Sequence, residues 1–241
     1  MKTQEDLLAE PSHRQLPLPG AQWQSYREWH NVVMLHWRVP VQSVVALIPA
    51  GLTLDTLEGE AWVSWMGFTV KGLRHRGFPQ LPFLSGFEEV NLRTYVVRDG
   101  RPGVYLLSVE ANKFFSLFLT RLVTRIPYIK SDIRRKPGFI ELSNSAHHFN
   151  AHINFAYTEP LSNKPPLDCW LTERHYLYVK DTDKLYRYDI HHKEWKLSGV
   201  IVSANSLKYA IGDLTIGKKA PDKKHFAKKL KVLIGKGHQL P

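Results

Sequence analysis

Phe87-Glu88-Glu89-Val90-Asn91-Leu92-Arg93-Thr94-Tyr95-Val96 is the stretch whose reading decides the fold. Its residues alternate. As a strand it points Val90, Leu92, Thr94 and Val96 to one side and Glu89, Asn91, Arg93 and Tyr95 to the other, because strand side chains have a period of two. One side is apolar, and the other carries a carboxylate, an amide, a guanidinium and a phenol in a row. A sheet with one wet face explains such a row. So does a sheet curled until its polar face lines a hollow, and that alternative has chemical consequences.

Working outward, Arg98-Asp99-Gly100-Arg101-Pro102-Gly103 turns this strand into a partner over 104–109, since Asp-Gly between alternating runs is a hairpin signal. Upstream, residues 52–57 and 61–70 alternate around Glu58-Gly59 and read as a second hairpin. Trp29 to Val39 reads as a strand, and Pro40 opens a short helix that Pro49-Ala50-Gly51 stops. Residues 72–86, with Gly77, Pro79 and Pro82, read as a loop. Over 112–125 the period changes: Phe114, Phe115, Leu117, Phe118, Leu119, Leu122 and Val123 surround a helix that should be buried nearly all round. Strands resume at 138–143, 147–157, 171–180, 184–190 and 199–203, and an edge strand near 226–234 closes the chain. The expected fold class is α+β, mainly antiparallel β: a curved sheet or barrel around a central cavity, with one substantial buried helix. Residues 1–22, polar and proline-rich, read as a mobile arm, and 23–241 as a single domain.

Composition narrows the function classes. A chain of 241 residues with 43% hydrophobic and 12% aromatic content can bury a core. Cys169 is the sole cysteine, so no internal disulfide forms. No secretory signal pattern and no apolar run of about 20 residues occurs, which leads us to expect a cytoplasmic protein without membrane insertion. The net charge of +11 is concentrated in residues 218–241, which hold eight lysines against Asp222 alone. Those lysines lack interleaved arginines and aromatics, so a solvated, aggregation-resistant edge is expected over a nucleic-acid partner, and association with nucleic acid or an anionic surface through this segment is the alternative reading.

Candidate chemistry is sparse. There is no GxGxxG, GxxxxGK[ST] or GxSxG. Cys169 lies beside Asp168, which raises rather than lowers a thiol pKa. His148 and His152 share a strand face but lie about 13 Å apart at the usual rise per residue, too far for one zinc ion. No cofactor and no metal is expected. What remains is charged residues inside apolar strands: His36 and Arg38, Glu89 and Arg93, and Glu173 and Arg174. An ion in a barrel wall costs several kcal/mol unless paired. Pairs holding strand register and a polar pocket both answer that demand.

These stretches also resemble the YqjF-like family of uncharacterised proteins. The resemblance rests on His36-Trp37-Arg38-Val39-Pro40, Leu47-Ile48-Pro49-Ala50-Gly51-Leu52, the focal strand, Ile126-Pro127-Tyr128, Leu171-Thr172-Glu173-Arg174, and His192 with Trp195. It runs from about residue 29 to 234. That family is similar to the acetoacetate decarboxylase-like superfamily, which implies a curved antiparallel sheet closing over a cavity. In the decarboxylase a lysine after a proline forms a Schiff base, with a second lysine lowering its pKa. Here Ile126-Pro127-Tyr128-Ile129-Lys130 places tyrosine and isoleucine where the resemblance implies the lysine pair, and Glu89 matches a pocket carboxylate. The expectation is a cavity binding a small anionic or carbonyl-bearing molecule, in an acid–base enzyme or, alternatively, a non-catalytic binding protein, with a homo-oligomer among the partners considered. Glu89 would be the acid–base group, Arg93 or Arg38 the positive charge, and Tyr128 a donor at the wall. Glu173 and Arg174 complete the ligand-binding set.

Overall fold

The computed structural model describes residues 7, 23–78, 86–113 and 124–241, apart from the side chains of 204 and 205. In chain order the strands are β1 (Trp23–Val39), β2 (Thr53–Leu54), β3 (Ala61–His75), β4 (Phe87–Arg98), β5 (Arg101–Ala111), β6 (Ile129–Lys130), β7 (Asp132–Lys136) and β8 (Phe139–Asn144). There follow β9 (Phe149–Pro160), β10 (Tyr176–Asp181), β11 (Lys184–His192), β12 (Ser198–Ile211), β13 (Leu214–Ile216), β14 (Lys223–Gly235) and β15 (His238–Leu240). Helix α1 spans Val41–Val45 and α2 spans Pro166–Thr172. No helix among the described residues is long and apolar enough to cross a membrane.

Seven strands close on themselves in the order β1-β3-β4-β5-β10-β11-β14, with β14 pairing back to β1. All neighbours are antiparallel except β5 and β10, which run parallel. From β14 the sheet also continues through β12, β9, β8 and β7, so this second leaf folds over the outside of the barrel. The result is two cores. Met66, Phe68, Tyr95 and Leu177 belong to the barrel interior. Val90, Leu92 and Trp65 on the outer face of the barrel meet Ile140, Leu142 and Ile153 of the leaf. Each such aliphatic side chain removed from water contributes about 1.5–3 kcal/mol.

That arrangement settles the ambiguity of the focal strand. Strand β4 has no wet face, because its apolar side packs under the leaf and Glu89, Asn91 and Arg93 face the barrel interior, all buried. The β4–β5 turn is as expected, with Asp99 at φ 51° and Gly100 at φ 68°, the conformation a two-residue type I′ hairpin requires.

Four sequence expectations change. The turn at Glu58-Gly59 forms, bridged by Leu57 and Glu60, but β2 pairs with β4 instead of β3. Over 171–180, Leu171 and Thr172 finish a helix. Pro165 and Pro166 start it, Asp168 lies in its first turn, and the Thr172 hydroxyl donates to the Asp168 carbonyl at 2.7 Å. The β-branched Thr172 suggested a strand, yet proline at the first helical positions decides locally. Thirdly, residues 226–234 are no edge: β14 pairs with β1, β11 and β12. Its lysines alternate with buried His225, Phe226, Leu230 and Val232, so the basic segment is barrel wall. The loop expected from 72 begins later, because β3 continues to His75. The buried helix expected over 112–125 falls mostly on 114–123, outside the described residues. So does the N-terminal arm apart from Leu7, which is buried against Tyr26 and Leu233.

Candidate functional site

The interior of the barrel encloses a cavity whose space open to water-sized spheres is about 50 Å³. One water needs about 10–15 Å³ by this measure, so the space admits roughly four waters or one very small organic molecule. Strand β4 supplies Glu89, Asn91 and Arg93 to its wall, β1 supplies Arg27 and Trp29, and Tyr128 closes one side.

Glu89 is at the centre. Its Oε2 accepts from the Tyr128 hydroxyl at 2.9 Å and its Oε1 from Asn91 Nδ2 at 3.3 Å. Burial pushes its carboxyl above the usual range, opposed by the charge of Arg27 and by those two donors. Burial, reinforced by the neighbouring carboxylate, pushes the Tyr128 phenol up as well.

Three guanidiniums line the same cavity. Arg174 donates to Asp55 at 2.5 Å and to the Trp170 carbonyl at 2.6 Å, and it lies over the rings of Trp170 and Tyr95. Its charge is balanced. Among the described residues Arg93 donates only to the Leu171 carbonyl, at 3.3 Å, and its Nε has no hydrogen-bond partner. Arg27 is 3% exposed, and its Nε and Nη2 make no hydrogen bond. Among the described residues neither Arg27 nor Arg93 has a carboxylate within ion-pair distance. A buried guanidinium without a counter-ion is costly, and Arg27 and Arg93 are the lining cations whose charge is not balanced among the described residues.

The other expected residues sit elsewhere. Arg38 does not line the cavity: it shares the inward parity of Met34 and His36, but it stands at the last turn of β1, half exposed, against Asp222 at 4.0 Å. Glu173 lies behind the wall, beside His192. No lysine is among the described lining residues. Lys130 lines an open surface groove with Ser131 and Asn144. Cys169 is partly buried with its thiol pushed up by burial.

Sequence reasoning missed Arg27. The signal was present: Arg27 alternates with Trp29, but β1 shifts register between His30 and Val33, where Asn31 adopts φ 52°. That bulge turns the odd positions before it and the even positions after it to the same side. A chain of hydrogen bonds that the sequence did not announce also runs along the inner face of the barrel. His225 bridges Asp168 at 3.2 Å and His36 at 3.0 Å, and His36 meets Ser64 at 2.6 Å. Ser64 meets the Tyr95 hydroxyl at 2.5 Å, which donates to the Leu171 carbonyl at 3.0 Å. Burial lowers the pKa of both imidazoles.

Comparison with known proteins places this geometry. The model of domain of unknown function 2071, described as an uncharacterized conserved protein, matches residues 26–231. The chain belongs to this family. A curated member, uncharacterized protein YqjF of Bacillus subtilis (strain 168), is 35% identical over 231 residues, covering 92% of this chain and 94% of that protein. Beyond the domain of unknown function 2071 family, the fold is shared with an acetoacetate decarboxylase-like enzyme from Sphingomonas wittichii RW1, at TM-score 0.62 and 15% identity over 95% of this chain and 97% of that one. An acetoacetate decarboxylase gives TM-score 0.61 and 12% identity over 98% and 97%. The enduracididine biosynthesis enzyme MppR complexed with pyruvate gives 0.59 and 14% over 95% and 93%. At these identities the likeness concerns the fold alone.

Proposed function

We propose that the barrel cavity binds a small carboxylate, with Arg27 as its guanidinium partner and Glu89 and Tyr128 as an acid–base pair beside it, in a cytoplasmic protein. The observation that carries this reading is Arg27: a buried guanidinium with two nitrogens lacking hydrogen-bond partners, in the wall of a cavity that also holds Glu89. A carboxylate takes two parallel N–H donors from such a group. The size of the cavity supports a ligand of roughly four to six non-hydrogen atoms, the class to which the pyruvate bound by MppR belongs. With no lysine among the described lining residues, the reading is non-covalent. Glu89, held towards its protonated form by burial, would give its proton to the ligand's carbonyl oxygen and, as the carboxylate, take one from the adjacent carbon, leaving the enol; the reverse steps return both protons. Tyr128 would hold the carboxyl in place.

Thermal-shift titrations with acetate and pyruvate, against the neutral shapes acetamide and acetone, test it in the presence of a chelator. Ligands that bind only the folded state raise Tm in proportion to ln(1 + [L]/Kd). The carboxylates should stabilise the wild type and the neutral analogues should not, and Arg27→Met should abolish the response. A chain that responds equally to acetamide, or an Arg27→Met variant that responds like wild type, removes the reading. Exchange of the pyruvate methyl protons for deuterium, followed by NMR, should be catalysed by the wild type and lost in Glu89→Gln. Binding without exchange would leave a carrier and not an enzyme.

A further inference from the structure

Behind the cavity wall Glu173, His175 and His192 converge, with one ligand atom of each within 4.8 Å of the others. Two come from the junction that follows α2 and the third from the end of a strand. Glu173 caps the C-terminus of α2, His175 directly precedes β10, and His192 ends β11. We propose that these three side chains form a binding site for one divalent transition-metal ion of the zinc class, sharing His192 with the lining of the cavity.

The surroundings are those of a built ligand set. Glu173 has a side chain only 9% exposed, and its Oε1 is held by Lys164 Nζ and by the Trp195 N–H at 3.1 Å. Its Oε2 has no hydrogen-bond partner and lies 3.9 Å from His192 Nδ1. The His192 Nδ1–H donates to the Lys193 carbonyl at 2.8 Å, which fixes the ring and puts the lone pair of the neutral imidazole on Nε2. Such outer contacts, a backbone carbonyl on the imidazole and donors on the far carboxylate oxygen, are what orient metal ligands. His175 stacks on His192 with ring centroids 4.7 Å apart, and the Ile190 N–H donates to the His175 carbonyl at 2.8 Å. The two imidazoles are therefore held side by side by one hairpin.

Charge and distance both allow an ion. Lys164 is bracketed by Glu173 and by Glu194, at 3.2 Å from the latter, so its charge is balanced without Glu173. Arg174, the nearest guanidinium in sequence, is paired with Asp55. A tetrahedral zinc ion holds its ligand atoms roughly 3.4 Å apart, closer than the 4.8 Å that bounds this group, so side-chain torsions must draw the three ligands together. Two imidazoles and one carboxylate suit zinc and its transition-metal neighbours, whereas magnesium and calcium prefer oxygen. Three protein ligands leave a fourth position, and the contribution of His192 to the cavity lining places the site against the ligand space.

The test uses the full chain, freed of metal by chelation and titrated with zinc by calorimetry and with cobalt(II) by its visible ligand-field absorption. The expected result is one equivalent bound, an intense absorption of four-coordinate cobalt, and a higher Tm with zinc. Glu173→Gln and His175→Ala should each weaken binding by at least about 10-fold, while His175→Cys, which keeps a zinc-ligating atom, should retain it. Tm and near-UV circular dichroism in chelator report whether each variant folds, and the wild-type titration decides the matter even if one does not. No bound equivalent, or zinc affinity unchanged by Glu173→Gln and His175→Ala together, overturns the proposal. The latter result would put the metal on exposed histidines such as His147 and His152. The carboxylate titrations above are run in chelator, so the two proposals fail independently.

Discussion

At the scale of single residues, the buried titratable groups set how stability should depend on pH. Glu110 is fully buried where the barrel meets the leaf, near the Tyr209 hydroxyl at 3.5 Å, and burial raises its pKa to about 8. The folded state keeps this proton to a higher pH than the unfolded chain does. Stability from Glu110 is therefore complete at acid pH and falls by about 1.4 kcal/mol per pH unit as pH rises from the ordinary carboxyl range towards about 8. The buried imidazoles of His36 and His225 act in the opposite sense. Their folded pKa values lie below the ordinary 6.5, so their contribution is complete above it and is lost as pH falls below it. Urea midpoints measured at intervals from pH 5 to pH 9 (roughly the window these directions set) should show a maximum, and Glu110→Gln should flatten the alkaline limb and steepen the acid one, where Glu110 opposes the imidazoles. An unchanged alkaline limb would mean that Glu110 is already ionised in the fold. The candidate site shows at this scale what a sequence conveys. Glu89 and Arg93 were legible because a strict alternation set them on one face. Arg27 was not, because a bulge at Asn31 has no signature strong enough to announce a change of parity.

At the scale of elements, close backbone approaches decide which substitutions the architecture tolerates. Gly217, after β13, has φ +94°, and a Cβ there would lie 1.8 Å from the Leu207 carbonyl oxygen. Gly59, in the turn before β3, has φ +80° but open space around it. Alanine at Gly59 should cost about 1–2 kcal/mol for the left-handed backbone alone. At Gly217 the same change adds a backbone clash, and the loss should exceed that at Gly59 by at least about 1–3 kcal/mol. Chemical denaturation of the two variants side by side measures the difference, and equal losses would show that the β12–β13 hairpin is free to shift. The reading of α2 belongs here too. Leu171-Thr172-Glu173 has the composition of a strand, and only the preceding prolines reveal a helix. That helix moves Glu173 out of a barrel wall and sets it beside His192.

At the scale of the whole molecule, closure of the barrel depends on β14, which hydrogen-bonds to β1, β11 and β12. Read as composition, its lysines looked like a removable basic margin. In the fold they project outward from a strand whose other residues fill both cores, with Lys229 against Glu28 at 2.8 Å and Lys223 against Asp168 at 3.1 Å. Truncation after Gly217 should therefore abolish cooperative unfolding and yield insoluble protein, because it opens the ring and leaves three strands with unpaired edges. A truncated chain that melts cooperatively near the wild-type temperature would show that the barrel closes without β14.

What the amino-acid order determined by itself was local: the alternation of β4, the Asp99-Gly100 turn, the charged residues set into apolar strands, and the family likeness those motifs carry. These depend on contacts within a few residues, where periodicity and turn chemistry act directly. Tertiary structure alone decided that the ring closes through β14, that both faces of β4 are buried, that Arg27 and Glu89 line one cavity, and that His192 stands beside Glu173 and His175. Each of these joins residues distant along the chain, through bulges and pairings whose energies come from burial across the whole barrel, and no short window of sequence contains them.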